Sequence, residues 1–446
     1  MLDRVFAAPV LDRWLIHAPL HRITALINRA SLEALAGGSS PLTPELSEPR
    51  ETEPGPRTGP LDPRFLGLVP TRACNLACVY CGFAAAPDSG QMDPRLACAA
   101  VDWMADRAAR AGHQTLDVHF FGGEPLAAPE VVRAAVRHTR ARAAERGLVP
   151  RLGVATNGAY DETCATFVGD SFDDVALSFD GFAAVHNRHR PLRPGRGSFE
   201  QVSRTARLLS RSRAALCLRM CVAHDNVEDL PAAVEWFCTE FRPSSVDLET
   251  LRPTPESERA GLFPPDPYLF AERLLQASQV AIGRGVVPVY AAAAAEPPRI
   301  TRCPVGDDTL IVHPDGTVSP CYLLERDWRT RGLDLNLGRR DLNGTLRLDR
   351  EAVERVRRLP AAKPRCEGCF CRWSCAGGCH VNHSFPGCSR RYDGFCVQTR
   401  LITACSLLAR LNQAPLAAAL LADGPARERL ALWPDDRLEH GTATCL

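Results

Sequence analysis

The 446-residue sequence has no apolar run approaching ~18 residues, so no membrane-spanning helix is expected. It also has almost no net charge. Lys and Arg number 53 against 52 Asp and Glu, leaving +1. No strong global field favours nucleic acid or anionic lipid, and neither is expected as a partner. The start, Met1-Leu2-Asp3-Arg4, has no basic segment followed by an unbroken apolar stretch, so a secretory signal is not expected and a cytoplasmic protein is. Apolar residues make up 45% and charged residues 24%, the balance of a soluble globular chain, and the length suggests two or three units. What the sequence does have is cysteine, 19 in all. The odd count, the length and the missing signal argue against a disulfide framework and for metal ligation in a reducing compartment.

Residues 1–38 read as a small β-hairpin and helix, with strands at 13–17 and 23–27 and a helical turn or two at 30–36. Residues 39–63 are rich in Ser, Pro, Glu and Gly without periodicity and read as a linker. From residue 65 the pattern alternates. Strand-like runs at 65–69, 116–121, 152–155, 175–179, 215–222 and 245–251 are separated by helical stretches such as 94–111, 129–145 and 198–209. Such alternation predicts an α/β fold of parallel strands with crossover helices. Six units rather than eight suggest an open, partial barrel over residues 64–285. A helix at 268–284 follows, then a Cys-rich, loop-heavy region within 286–412. A helix at 398–412 closes it, and residues 413–446 form a C-terminal tail.

Directly after the first strand comes Cys74-Asn75-Leu76-Ala77-Cys78-Val79-Tyr80-Cys81. Three thiolates at this spacing can bind three irons of a 4Fe–4S cluster and leave the fourth open to a cofactor. A loop at the C-terminal end of a parallel barrel strand is where such folds carry chemistry. A zinc site is the competing reading, but no fourth ligand stands nearby.

With this motif the sequence resembles the radical S-adenosylmethionine (SAM) superfamily, from about residue 65 to residue 412. The resemblance implies a partial (β/α)6 barrel. It also implies that Gly122-Gly123-Glu124-Pro125, after the second strand, binds the amino group of SAM. Glycines allow close backbone approach, and Glu124 can accept from an ammonium. Thr156-Asn157-Gly158 ends the third strand as in relatives, which makes Asn157 a cofactor contact. Ser178-Phe179-Asp180-Gly181, His186 to Arg190 and Gly197-Ser198-Phe199 resemble a stretch of the peptide- and protein-modifying branch. There the Ser and the Arg contact the ribose or carboxylate of SAM, a role that falls here to Ser178 and Arg190. A surface charge is the plain alternative for Arg190, and a turn cap for Asp180.

The later cysteines carry the most specific pattern. Cys303 and Cys321 are followed by Cys366, Cys369, Cys375 and Cys379, spaced C-x2-C-x5-C-x3-C, and by Cys396. With Cys at ~4% of residues, four at such offsets arise by chance in about one chain in a thousand. The whole resembles the seven-cysteine SPASM domain, with small β-hairpins and helices. Two auxiliary 4Fe–4S clusters are implied, giving three in all. Cys303, Cys321 and Cys379 would serve the inner one, and Cys366, Cys369, Cys375 and Cys396 the outer. Two zinc sites are the competing reading. The stretch 304–309 lacks a further Cys that some relatives have. Asp307, Asp308, Cys371 and Cys388 are the candidates to complete the inner set, unless its iron stays open.

The resemblance implies an enzyme that cleaves SAM reductively to a 5′-deoxyadenosyl radical and abstracts hydrogen from a peptide. Crosslinking, thioether formation or epimerisation of a ribosomally made precursor peptide is the leading expectation. Its partners would be that precursor, a flavodoxin- or ferredoxin-type reductant and a separate leader-binding protein. Sulfatase-type formylglycine maturation and a small-molecule radical SAM dehydrogenase are the alternatives, with an iron–sulfur electron carrier or zinc scaffold outside catalysis. Sulfatase maturases carry an Asp just after the cysteine matching Cys321, where this chain has Tyr322. That tyrosine is a candidate base or radical relay, set against a packing role. Most of Cys98, Cys164, Cys217, Cys221, Cys238, Cys405 and Cys445 read as small buried residues, and His380 and His383 either support the ligands of a cluster from behind or, on the simpler reading, face solvent.

Overall fold

The computed structural model describes residues 4–438 apart from 86–89, 194, 294–296, 304, 307, 341–344, 382 and 384–391. Asp307, Cys388 and Cys445 therefore lie outside the described residues.

Period-2 patterning builds the barrel strands. In Ala215–Val222 the residues Leu216, Leu218, Met220 and Val222 are buried while their neighbours are not, so one face points to the core. The crossover helices are bounded by local chemistry. Asp93 caps Pro94–Ala111 by accepting from the Arg95 amide at 2.8 Å, proline occupies the first turn, and Gly112 ends it at φ 74°.

Fourteen strands are described, β1 Phe6–Val10, β2 Arg13–Ala18, β3 Ile23–Ile27, β4 Leu66–Leu68, β5 Thr115–Phe120, β6 Val149–Thr156, β7 Asp174–Ser178, β8 Ala215–Val222, β9 Ser245–Thr250, β10 Val287–Val289, β11 Leu310–Val312, β12 Thr317–Ser319, β13 Gly338–Arg340 and β14 Leu346–Leu348. Strands β4 to β9 pair in parallel, each with its sequence neighbour, and α-helices link β5 through β9. This is the expected six-unit arrangement, and the sheet is open, because β10 and β4 do not pair among the described residues. The hydrogen bonding continues past residue 285. β10 adds to β9 in parallel, β11 adds to the far side of β4 in parallel, and β12 to β14 extend that edge as an antiparallel meander. The hairpins of the Cys-rich region thus belong to one eleven-stranded sheet with the barrel.

Two further segments differ from expectation. The N-terminal unit holds three antiparallel strands rather than two, followed by the helix Arg29–Ala36. β1 is Phe-Ala-Ala-Pro-Val, with little strand character of its own. It is held by pairing with β2 and by the chain's far end, where the Ala7 amide donates to the Asp436 carbonyl at 2.6 Å. The tail is ordered as two helices, Ala414–Ala422 and Gly424–Leu432, and then runs back along β1.

Candidate functional site

The C-terminal ends of the parallel strands open into a cavity of about 520 Å³. Cys74, Cys78 and Cys81 line it, on the loop that leaves β4, together with Gly122, Gly123, Asn157, Ser178 and Arg190. Strands β5, β6 and β7 deliver Gly122, Asn157 and Ser178 at or just beyond their ends.

The glycines are dictated by the cysteine loop. A Cβ on Gly122 would stand 2.5 Å from the Thr71 carbonyl, and one on Gly123 would stand 2.3 Å from that of Ala73. The Gly123 and Glu124 amides donate to those same carbonyls at 3.1 and 2.8 Å, so the pair anchors the chain entering Cys74. Glu124 is buried and does not line the cavity. Its carboxylate accepts from the Asn157 amide at 2.7 Å, the Thr156 hydroxyl at 2.8 Å and the Leu126 amide at 3.1 Å. Burial pushes its pKa up against those donors. Its visible part is therefore to fix Asn157, whose Nδ2 donates to Asn75 Oδ1 at 2.8 Å and to Cys74 Sγ at 3.5 Å.

The thiols are strained electrostatically. Burial first, then Cys81 and Cys74, push Cys78 up to about 12, with Arg190 opposing. Burial raises Cys74 too, against the Leu76 amide at 3.4 Å from its sulfur. Three thiolates in this space are disfavoured unless a cation shares them. The donor set, all sulfur and one short of a closed site, fits a 4Fe–4S cluster with an open iron.

Arg190 is a buried residue rather than a surface charge, being 8% exposed. Its Nη1 donates to the Tyr80 hydroxyl at 2.5 Å, and Tyr80 donates to Asp180 Oδ2 at 2.6 Å. Asp180 also accepts from the Cys221 amide and lies 3.5 Å from His189, which reaches Asp225 at 3.1 Å. Burial works against the Asp180 carboxylate, yet Arg190 and His189 prevail and hold its pKa near 2. Tyr80 and Asp225, which hold Arg190 and His189, carry no spacing that would have marked them in the sequence.

The cavity continues past these groups to a polar end lined by Arg252, Glu256, Asp327 and Arg331. There Glu249 pairs with Arg302 at 2.5 Å, and the Arg252 guanidinium stacks on Phe395 at 3.9 Å. Tyr322 does not line the cavity. It is buried against Phe121 at 4.7 Å, and its hydroxyl occupies the space a Cβ on Gly67 would need, 2.6 Å away. The packing role is the one the geometry favours over a base or relay.

The later cysteines separate into two groups. Cys366, Cys369, Cys375 and Cys396 line one small cavity, with Cys371, His383 and Arg400. Arg400 Nη1 donates to Cys369 Sγ at 3.3 Å. The Cys371 thiol hydrogen bond, with Arg400 nearby, draws Cys369 down to about 7 despite burial. Cys303, Cys321 and Cys379 form the other group. Burial and then Cys379 raise Cys303, and Cys321 is raised by burial and by both. Of the candidates to complete this second group, Asp308 is taken up by Arg357, 2.6 Å away and equally buried, and Cys371 lies with the first group. All described cysteines are free; Cys238 and Cys405 are buried as expected, whereas Cys98, Cys164 and Cys217 are half-buried and Cys221 lines the large cavity.

His380 and His383 are buried at 4% each, not solvent-exposed. The chain after Cys379 turns inward. His380 Nε2 meets the Thr301 hydroxyl at 3.2 Å, and His383 lies between the Gly377 carbonyl at 3.0 Å and Asp393 at 2.9 Å.

Among the described residues, no helix is long and apolar enough to cross a membrane. Similarity to known proteins follows this geometry. The chain is similar to a serine-type anaerobic sulfatase-maturating enzyme of Klebsiella aerogenes, 25% identical over 340 residues, which cover 72% of this chain and 81% of that protein. Its fold is similar to that of native anSMEcpe with bound AdoMet, with a TM-score of 0.60 at 19% identity, over 78% of this chain and 99% of the other. It is also similar to SuiB of Streptococcus suis bound to S-adenosylmethionine, with a TM-score of 0.53 at 12% identity, over 85% and 95%. Residues 68–237, which carry the cysteine loop and the strand ends around it, match the Radical SAM superfamily, and the protein is an enzyme.

Proposed function

We propose that the protein modifies a peptide or protein substrate by hydrogen abstraction, using SAM bound in the large cavity and three 4Fe–4S clusters. When bound, the cofactors would supply a 5′-deoxyadenosyl radical generated by reductive cleavage of SAM. The observation that carries this reading is the make-up of one cavity: the three thiols of one loop, a buried arginine beside them, and a polar extension beyond. Arg190, held by Tyr80, would take the carboxylate of SAM, since its fork of donors suits that group and its Nε has no partner among the described residues. The backbone at Gly122 and Gly123 and the side chains of Asn157 and Ser178 would position the remainder. The end lined by Arg252, Glu256, Asp327 and Arg331 would receive the substrate. The two later groups of thiols would hold the auxiliary clusters, Cys303, Cys321 and Cys379 the inner and Cys366, Cys369, Cys375 and Cys396 the outer. A reductant of flavodoxin or ferredoxin type would supply electrons, and a separate protein would bind the leader.

Crosslinking, thioether formation or epimerisation of a ribosomally made peptide is the leading form. Formylglycine formation is the second reading, favoured by the similarity to sulfatase-maturating enzymes. Tyr322, in place of their acidic residue, weighs against it, because a buried phenol away from the cavity cannot take that residue's place as a base.

The test is anaerobic reconstitution followed by reduction with dithionite in the presence of SAM. Release of 5′-deoxyadenosine and methionine, lost in a Cys74/Cys78/Cys81→Ala variant, is expected. No SAM cleavage by protein with full iron content would overturn the reading. Mass change of a sulfatase-derived peptide, set against that of a precursor encoded beside this gene, separates the two forms.

A further inference from the structure

Lys363 is nine-tenths buried, and a buried ammonium is costly unless something opposite in charge shares its environment. Its Nζ donates to the Gly377 carbonyl at 2.7 Å and to that of Gly378 at 3.1 Å. These glycines are the crossing point between the two groups of thiols, for Cys375 belongs to the outer group and Cys379 to the inner. The fit there is close. A Cβ on Gly377 would lie 2.2 Å from Lys363 Cδ and 3.3 Å from Cys366 Sγ. The titratable groups that act on the lysine come from both groups of thiols, Cys366 and Cys375 on one side, Cys303 and Cys379 on the other, and the lysine acts in turn on His380.

We propose that Lys363 is an electrostatic bridge between the two auxiliary cluster sites, fixing the chain where it crosses from one to the other and raising the reduction potential of both clusters. The inference rests on the cluster reading above. A positive charge stabilises the more negative, reduced state of each nearby cluster, and low local polarity strengthens the effect. Lys363 touches no substrate and is a positioning residue. Its two carbonyl bonds explain why the ammonium stays at the crossing point.

The test is a potentiometric titration of full-length, anaerobically reconstituted protein followed by electron paramagnetic resonance. The Cys74/Cys78/Cys81→Ala variant identifies which signal belongs to the first cluster. Lys363→Met is expected to lower the midpoint potentials of both auxiliary clusters and leave the first unchanged, and Lys363→Arg to restore both. Should Lys363→Met fail to hold iron, Lys363→Gln removes the charge while keeping a donor for the Gly377 carbonyl, and the same shift is expected. Full iron with both potentials unmoved, or with only one moved, overturns the bridge. Wild-type protein that takes iron at the first motif alone overturns the cluster reading instead.

Discussion

Gly123 lies so close to the chain entering the first cysteine motif that its lack of a side chain sets the motif's position. Gly123→Ala would put a methyl 2.3 Å from the Ala73 carbonyl, which already accepts from the Glu124 amide. The loop from Arg72 to Cys74 must then shift. The expected outcome is loss of about four irons of about twelve, with the rest retained, measured by iron and sulfide analysis. Unchanged iron would mean the loop relaxes freely. Tyr80 makes a different prediction. Its hydroxyl is the link between Arg190 and Asp180, and Tyr80→Phe leaves two buried charged partners each short of a hydrogen bond. A loss of about 1–3 kcal/mol is expected in thermal or urea unfolding, with SAM binding weakened about tenfold in calorimetric titration. Loss of stability without loss of SAM affinity would remove Arg190 from the cofactor site.

Elements were legible where local chemistry decides them. Helices Pro94–Ala111 and Pro129–Glu145 fall where proline in the first turn and apolar periodicity put them, and β8 where alternation does. Spacing marked the cysteine motifs while their division into two groups came from the resemblance, and the large cavity does bring together the residues that resemblance had assigned to SAM, apart from Glu124. What spacing cannot carry is a partner distant in sequence. β1 depends on the tail, and Tyr80 and Asp436 matter through side-chain contacts as far as 110 and 66 residues away. The burial of His380, which meets Thr301 79 residues away, was missed for the same reason. The tail shows the cost of such a contact. Asp436, fully enclosed, pairs with Arg400 at 2.6 and 3.0 Å and accepts from the Phe370 amide at 2.9 Å, and Arg400 reaches on to Cys369. The pair ties the helix Gly394–Arg410 and the Cys-rich loop to the last described strand-like segment. Removing one member leaves a buried charge unpaired, so Asp436→Asn should cost about 3–5 kcal/mol in urea unfolding. A cost under about 1 kcal/mol would mean that water replaces the lost partner.

At the scale of the whole molecule, one sheet of eleven strands runs through both the barrel and the Cys-rich region, so the two should unfold together rather than in turn. Two buried histidines, one in each region, make this measurable. His186 accepts from the Asp180 amide and donates to Ser198; burial, then Arg190, lower its pKa to about 3. His313 donates to Ser319; burial, then Arg72, lower it to about 4. Both are neutral when folded and protonate near 6.5 when unfolded. As pH falls below 6.5 the unfolded chain therefore takes protons that the folded chain refuses, and stability falls by about 1.4 kcal/mol per pH unit for each, about 3 together. His189 has a raised pKa and works the other way, but below 6.5 it is protonated in both states and adds no slope. Urea unfolding of anaerobic protein between pH 7 and 5 should show one transition whose midpoint falls with pH. His380, which burial also lowers to about 3, adds a like share, so His186→Gln and His313→Gln should each remove about 1.4 kcal/mol per pH unit of that dependence from the same transition. Two transitions, each answering to only one of the variants, would mean that the shared sheet does not couple the regions and that the barrel and the Cys-rich region stand or fall separately.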